Sequence, residues 1–191
     1  MSNSNCASVA LRGIPRDCAS SVGGINRVAI ANYSDVKTVT TSSLGSGSAD
    51  TAVEITQIEL KPEAKWNFYH FRKGSSSLTE TLNIDQATGL NYVSSELVMT
   101  FARMESAKRA EISALALNEI VVVVEDSNKQ YHYLGYSEPV AASAGTGQTG
   151  QAKGDANNYS ITLQDDSETF PYLLSKECAG TVFATDDQSK A

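Results

Sequence analysis

The chain has 191 residues, 41 % of them hydrophobic and 19 % charged, with 22 acids against 15 bases and a formal charge of −7. That is enough for one domain with its own core, and too apolar for a disordered polymer. It is also too acidic for tight phosphate binding, which needs a lysine and arginine footprint. No apolar run reaches the ~18 residues of a membrane span, and Met1 to Ala10 has neither the basic start nor the apolar centre of a signal peptide. Three cysteines, Cys6, Cys18 and Cys178, read as reduced cytosolic thiols, with a Cys6–Cys18 bridge as the alternative. Together with His70 and His132 they show no zinc-ligand spacing.

In chain order, residues 1–24 are small and polar and read as an N-terminal arm, either loose or ordered only against a neighbouring subunit. A single β-rich domain is expected over 25–185. Ile25 to Asn32 alternates as a first strand, and Tyr33-Ser34-Asp35 is a turn. Residues 38–51 are rich in Thr, Ser and Gly and read as loop. Val53 to Leu60 keeps a period close to two, a half-buried strand. Trp66 to Arg72 is an aromatic strand with Trp66, Phe68 and His70 on one face and Asn67, Tyr69 and Phe71 on the other. A core strand is the favoured reading there, over a binding stripe. Leu78 to Ile84 and Leu90 to Phe101 read as strands around a turn at Gln86 to Gly89, with an irregularity expected at Ser94-Ser95.

The period then changes. Residues 103–117 are helix formers, with Met104, Ala107, Ala110 and Ala114 on one stripe bordered by Ile112 and Leu115. Glu105 is spaced to pair with Lys108 and Arg109. The strongest signal follows: Ile120 to Val124, a polar turn Asp126 to Gln130, and Tyr131 to Tyr136 form a hairpin. The unbroken β-branched run predicts a strand covered on both faces. Residues 140–154 hold Gly145, Gly147, Gly150 and Gly154 and read as a flexible loop. Lys153 is followed by Gly154, not Ser or Thr, so no phosphate loop is present. Tyr159 to Leu163 is a strand, Asp165 to Glu168 an acidic turn, Thr181 to Thr185 a last strand, and 186–191 a C-terminal tail.

Asp165, Asp166 and Glu168 invite a calcium reading, but such a site takes six or more oxygens at fixed spacing. No nucleophile motif surrounds either histidine. The expectation is a protein that is not an enzyme, with no catalytic, cofactor-binding or metal residues and no cofactor.

A resemblance rests on the order of the second half. It runs from the strand-to-helix passage Phe101 to Leu117, through Asn118-Glu119 opening the valine strand, the turn Glu125-Asp126-Ser127-Asn128-Lys129 and the strand Tyr133-Leu134-Gly135-Tyr136. The Gly-rich segment 145–154 and the closing strand Asp155 to Leu163 complete it. The openings Gly13-Ile14-Pro15-Arg16-Asp17-Cys18 and Gly23-Gly24-Ile25 are similar too. The pattern resembles virion proteins of tailed bacteriophages, especially tail-tube-like proteins of phages infecting Bacteroidetes. The resemblance implies a mainly β fold, a β-sandwich or barrel with one α-helix packed on the sheet. It also implies hexameric rings that stack into a channel for DNA, and a place in the virion tail after assembly in the bacterial cytoplasm. The expected partners are sister copies, through the arm 1–24 and the loops 38–51 and 140–154, and other tail or connector proteins. Phage DNA would pass without sticking, because lumen acids would repel its phosphates. Rival readings are a head–tail connector ring, a capsid decoration protein, and a carbohydrate-binding β-sandwich using Trp66, Tyr131, Tyr133 and Tyr136.

Overall fold

The structure is a computed structural model that describes residues 13, 14, 16, 18–43 and 53–186. It is a mainly β sandwich of two sheets. The larger sheet takes β1 (Ile25–Asn32), β2 (Val36–Ser43), β3 (Val53–Leu60), β4 (Asn67–His70), β7 (Ile120–Asp126), β8 (Tyr131–Leu134) and β11 (Tyr172–Leu174). Its order is β2-β3-β11-β8-β7-β1-β4. The smaller sheet holds β5 (Ser77–Asp85), β6 (Leu90–Ala102), β10 (Asn158–Ser167) and β9 (Ala141–Gln148), in the order β5-β6-β10-β9. All pairings are antiparallel except β11 with β3.

The valine strand sits where its composition requires. Ile120 to Val124 are all buried. Val122 and Val124 point into the core between the sheets, with Val28, Ile30, Leu97, Met99, Ile161 and Leu163. Val121 and Val123 point the other way, against Ile55, Tyr133 and a helix near the C-terminus. A continuous apolar run is stable only with both faces covered, and here each face has its own cluster.

That helix, α2 (Lys176–Val182), with a following 3-10 turn (Phe183–Thr185), replaces the strand expected at Thr181 to Thr185. Ser175 caps it by accepting from the Cys178 amide at 3.2 Å. Cys178, Ala179, Val182 and Phe183 are buried at helical spacing. So two helices pack on the sheets.

The first helix, α1 (Ser106–Leu117), starts three residues later than its composition suggests, because Arg103 holds a φ of 67°. Its buried side is also different. Leu115 is buried and Ile112 packs on the inter-sheet core, whereas Ala107, Ala110 and Ala114 are exposed. Large side chains win the buried face because they remove more apolar area from water. Glu105 does pair with Lys108, at 3.4 Å, but the Arg109 side chain donates to the Tyr159 hydroxyl instead.

Both expected loops contain strands. Val36–Ser43 pairs along β3, and Ala141–Gln148 pairs along β10. The glycines of β9 serve packing: a Cβ on Gly147 would lie 2.7 Å from the Tyr159 ring. No register shift occurs at Ser94-Ser95, which pair evenly with β5 and β10. The expected acidic turn is strand as far as Ser167. The described part of the arm is tied down at Val22, whose amide donates to Asn128 Oδ1 at 2.8 Å. Cys6, the rest of the arm and residues 187–191 lie outside the described residues; Cys18 and Cys178 are free thiols.

Candidate assembly surface

The outward face of the smaller sheet follows from the register. Tyr159, Ile161, Leu163 and Asp165 of β10 turn inward and are buried, so Ser160, Thr162, Gln164 and Asp166 turn outward. Their cross-strand partners Thr100, Val98, Glu96 and Ser94 on β6 share that face, and beyond them Ser77, Thr79 and Thr81 on β5. On β9 it continues through Ala144, Thr146 and Gln148. Hydroxyls and amides dominate. The charged side chains on the face are Asp85, Glu96 and Asp166, and among the described residues it has no lysine or arginine.

The edges of this sheet are long. β5 has 9 residues and β9 has 8, and neither is paired on its outer side among the described residues. Neither carries lysine or proline, the residues that commonly blunt an exposed edge.

The inward side has a polar row. Glu80 of β5 pairs with Ser95 of β6, which pairs with Asp165 of β10. Glu80 Oε1 lies 3.2 Å from His132 Nδ1 of the larger sheet. Asp165 Oδ2 accepts from the Gly135 amide at 3.1 Å, which ties the two sheets together. Ser95 Oγ and Asp165 Oδ1 are buried without a protein partner. Burial raises the Asp165 carboxyl pKa, Asp166 and Glu138 add to the rise, and the Gly135 hydrogen bond opposes it.

The folded state therefore holds this proton more tightly than the unfolded chain does. The stability it contributes is full below the ordinary carboxyl pKa of 3.8 and is lost as pH rises through the raised value. Asp165→Asn keeps an acceptor for Gly135 and carries no charge. It should gain on the order of 1 kcal/mol near neutrality. Urea midpoints across pH 4 to 8 should show wild type falling relative to the variant as pH rises; parallel curves would refute the assignment.

A second cluster joins the end of the described chain to the sheet. Arg27 Nε lies 2.5 Å from Glu125 Oε2, and Arg27 Nη1 lies 2.6 Å from Asp186 Oδ2. Its guanidinium sits 4.2 Å over the Phe183 ring. Asp186 Oδ1 also meets His70 Nε2 at 3.0 Å, and Lys129 pairs with Glu125. Asp186, read from sequence as the start of a loose tail, has a side chain only 2 % exposed. Burial raises the Glu125 carboxyl, but hydrogen bonds and charge from Lys129 and Arg27 outweigh it, and its pKa is lowered.

Each histidine is thus engaged by an acid, His70 by Asp186 and His132 by Glu80. Among the described residues no group of three or more His, Cys, Asp and Glu is placed to hold a metal ion. Asp165 points inward and Asp166 outward, so the acids of the calcium reading do not converge. The burial of Cys178 raises its thiol pKa. The aromatics of the carbohydrate reading do not share an exposed plane. Tyr133 is buried, Trp66 and Tyr131 pack on the α2 cluster, and Tyr136 meets Tyr172 edge-on at 4.8 Å.

The class these observations define is a mainly β sandwich whose smaller sheet, among the described residues, has a polar outer face without bases between two unpaired strand edges. No helix among the described residues is long and apolar enough to cross a membrane. No protein-family model, curated protein or solved structure matches the chain.

Proposed function

We propose that this chain is a structural subunit of a bacteriophage virion, of the tail-tube type, whose copies join into hexameric rings that stack around a channel for DNA. The single observation that carries the reading is the smaller sheet. Its strands are antiparallel and even in number, so the edge strands β5 and β9 run in opposite senses. Copies related by rotation about a ring axis to which the strands are tilted then meet with β5 of one antiparallel to β9 of the next. The tilt absorbs the stagger between the edges, since β5 lies beside residues 90–98 of β6 and β9 reaches the level of 96–102. The sheet continues from copy to copy and the edge groups along the paired stretch gain partners. Closure of such a sheet removes its edges altogether.

The outward face supports the same reading. Duplex DNA carries one phosphate charge per ~1.7 Å of axis, and a wall bearing Asp85, Glu96 and Asp166 without a base offers it no ion pair. The hydroxyls and amides keep that wall wetted.

Size exclusion with light scattering, followed by negative-stain imaging of the purified chain, tests the proposal. Hexameric rings or tubes are expected. Dodecameric rings would favour the head–tail connector reading, and a monomer at high concentration would overturn both. In the virion, Glu96→Lys with Asp166→Lys should slow DNA ejection in low salt and less so in high salt, because added cations hold phosphate through screened charge. Unchanged ejection at both salt levels would remove the face from the lumen.

A further inference from the structure

The sandwich is closed along one side and open along the other. On the β9 side α1 fills the gap between the sheets. Ile112 and Leu115 enter the inter-sheet core, Arg109 Nε donates to the Tyr159 hydroxyl at 2.9 Å, and the Tyr69 hydroxyl of β4 donates to Glu111 at 2.5 Å. On the β5 side no helix among the described residues does this. Leu82 and Ile84 lie on the inward side of β5, in line with Leu78, yet are 44 % and 62 % exposed. Across the opening, Leu173 of β11 pairs with His132, on the side of the larger sheet that faces β5, and is 38 % exposed. Scattered exposed leucines are ordinary; large apolar side chains from both sheets facing one opening of a continuous core mark a contact surface.

We propose that this opening is filled by a second copy of the chain, through the outward face of its α1. The inference rests on the ring reading above. Side chains keep to their side of a sheet across a strand pair. When β5 of one copy pairs with β9 of the next, whatever flanks β9 on the inward side is carried to the inward side of β5. That element is α1. Ala107, Ala110, Ala114 and Leu117 form its outward face, all exposed, with Leu117 at 87 %. Alanines let the helix come close, while Leu82, Ile84 and Leu173 supply the bulk.

Charge agrees in sign. The inward side of β5 carries Glu80 and no base, whereas α1 and its approach carry Arg103, Lys108 and Arg109 against Glu105 and Glu111. The same rotation that joins the strand edges therefore brings two complementary faces together, which singles out a second copy over a different protein. The helix then has two uses: it seals its own sandwich with one face and its neighbour's with the other.

The test uses the full chain with its native cysteines replaced (Cys6→Ser, Cys18→Ser, Cys178→Ala), carrying Ile84→Cys together with Ala114→Cys. Treatment with a short bis-maleimide under ring-forming conditions should give a ladder of covalent dimers and higher species, and neither single variant should give one. In the native background, Ile84→Asp should keep the wild-type melting temperature and raise the concentration needed for rings about tenfold or more. If wild type forms rings, yet the double variant gives no ladder and Ile84→Asp assembles like wild type, this docking is wrong and the ring reading stands. A ladder from Ala114→Cys alone would mean helix meets helix, which also overturns it. Absence of rings from wild type would sink the ring reading and this inference with it.

Discussion

Replacing Arg27 with methionine should cost about 3–5 kcal/mol of folding stability, the range for breaking a buried ion pair from one side. The reason is what the substitution leaves behind. The Glu125 and Asp186 side chains are 1 % and 2 % exposed, and Arg27 is the group that touches both. After substitution Glu125 keeps Lys129 and a 3.4 Å hydrogen bond from Asn26, and among the described residues Asp186 keeps His70; Lys129 and His70 are themselves partly solvated. For a chain of this size the loss is on the order of 10 °C in Tm. Chemical denaturation at neutral pH measures it directly. Lys37→Met is the control: its pair with Glu59 is 61 % and 44 % exposed and should be worth less than about 1 kcal/mol.

The pH dependence has a definite sign. The folded pKa of Glu125 is lowered, so its contribution is present above the ordinary carboxyl pKa of 4.5 and is lost as pH falls through the folded value. The gap between wild type and Arg27→Met should therefore narrow on acidification, since a protonated carboxyl needs no cation. A loss under about 1 kcal/mol at neutral pH would mean that the C-terminal segment is not held by this arginine.

Gly135→Ala should cost about 2–4 kcal/mol, combining left-handed backbone strain with overpacking. Gly135 follows β8 and holds a φ of 91°. A Cβ there would sit 3.2 Å from each of Ile120 O, Val121 Cγ1 and Val140 Cγ2, and two of those atoms belong to the buried valine strand. Its amide is also the donor to Asp165, so a shift of this turn disturbs the tie between the sheets. Gly74→Ala separates the two causes. Gly74 has a φ of 75° but nothing within 4 Å of its Cβ position, so it should show strain alone, about 1 kcal/mol. Equal losses at the two glycines in urea titrations would remove the packing argument.

The parts of the fold legible in the sequence were those with large, regularly spaced apolar residues. Ile120 to Val124 implied cover on both faces and has it, because five consecutive β-branched residues cannot all be left in water. Ile25–Asn32 and Val53–Leu60 were legible from alternation. The alternation of Trp66 to Phe71 also held: Trp66 and Phe68 pack towards α2, Tyr69 and Phe71 towards the smaller sheet.

What misled was small residues. Ala141–Gln148 has the composition of a loop, and it is a strand because β10 supplies its hydrogen bonds and the Tyr159 ring needs the space at Gly147. Alanines in α1 formed the neater stripe, yet Ile112 and Leu115 took the core. The C-terminal helix had a readable signal in Cys178, Ala179, Val182 and Phe183, obscured by β-favouring Thr and Val. The assembly surface divides the same way. β10 shows its polar alternation, but only the register puts Asp85, Glu96 and Asp166 on one face without a base.

By itself, the sequence determined a mainly β domain with a hairpin whose first strand is covered on both faces, a helix before it, and a net acidic charge. Those features depend on residue type and spacing along the chain. The tertiary structure alone decided which strands became edges, which side of the helix was left bare, and which charges met at Arg27, because each depends on partners about 40 to 160 residues away in sequence. Local pattern carries no record of a partner that distant.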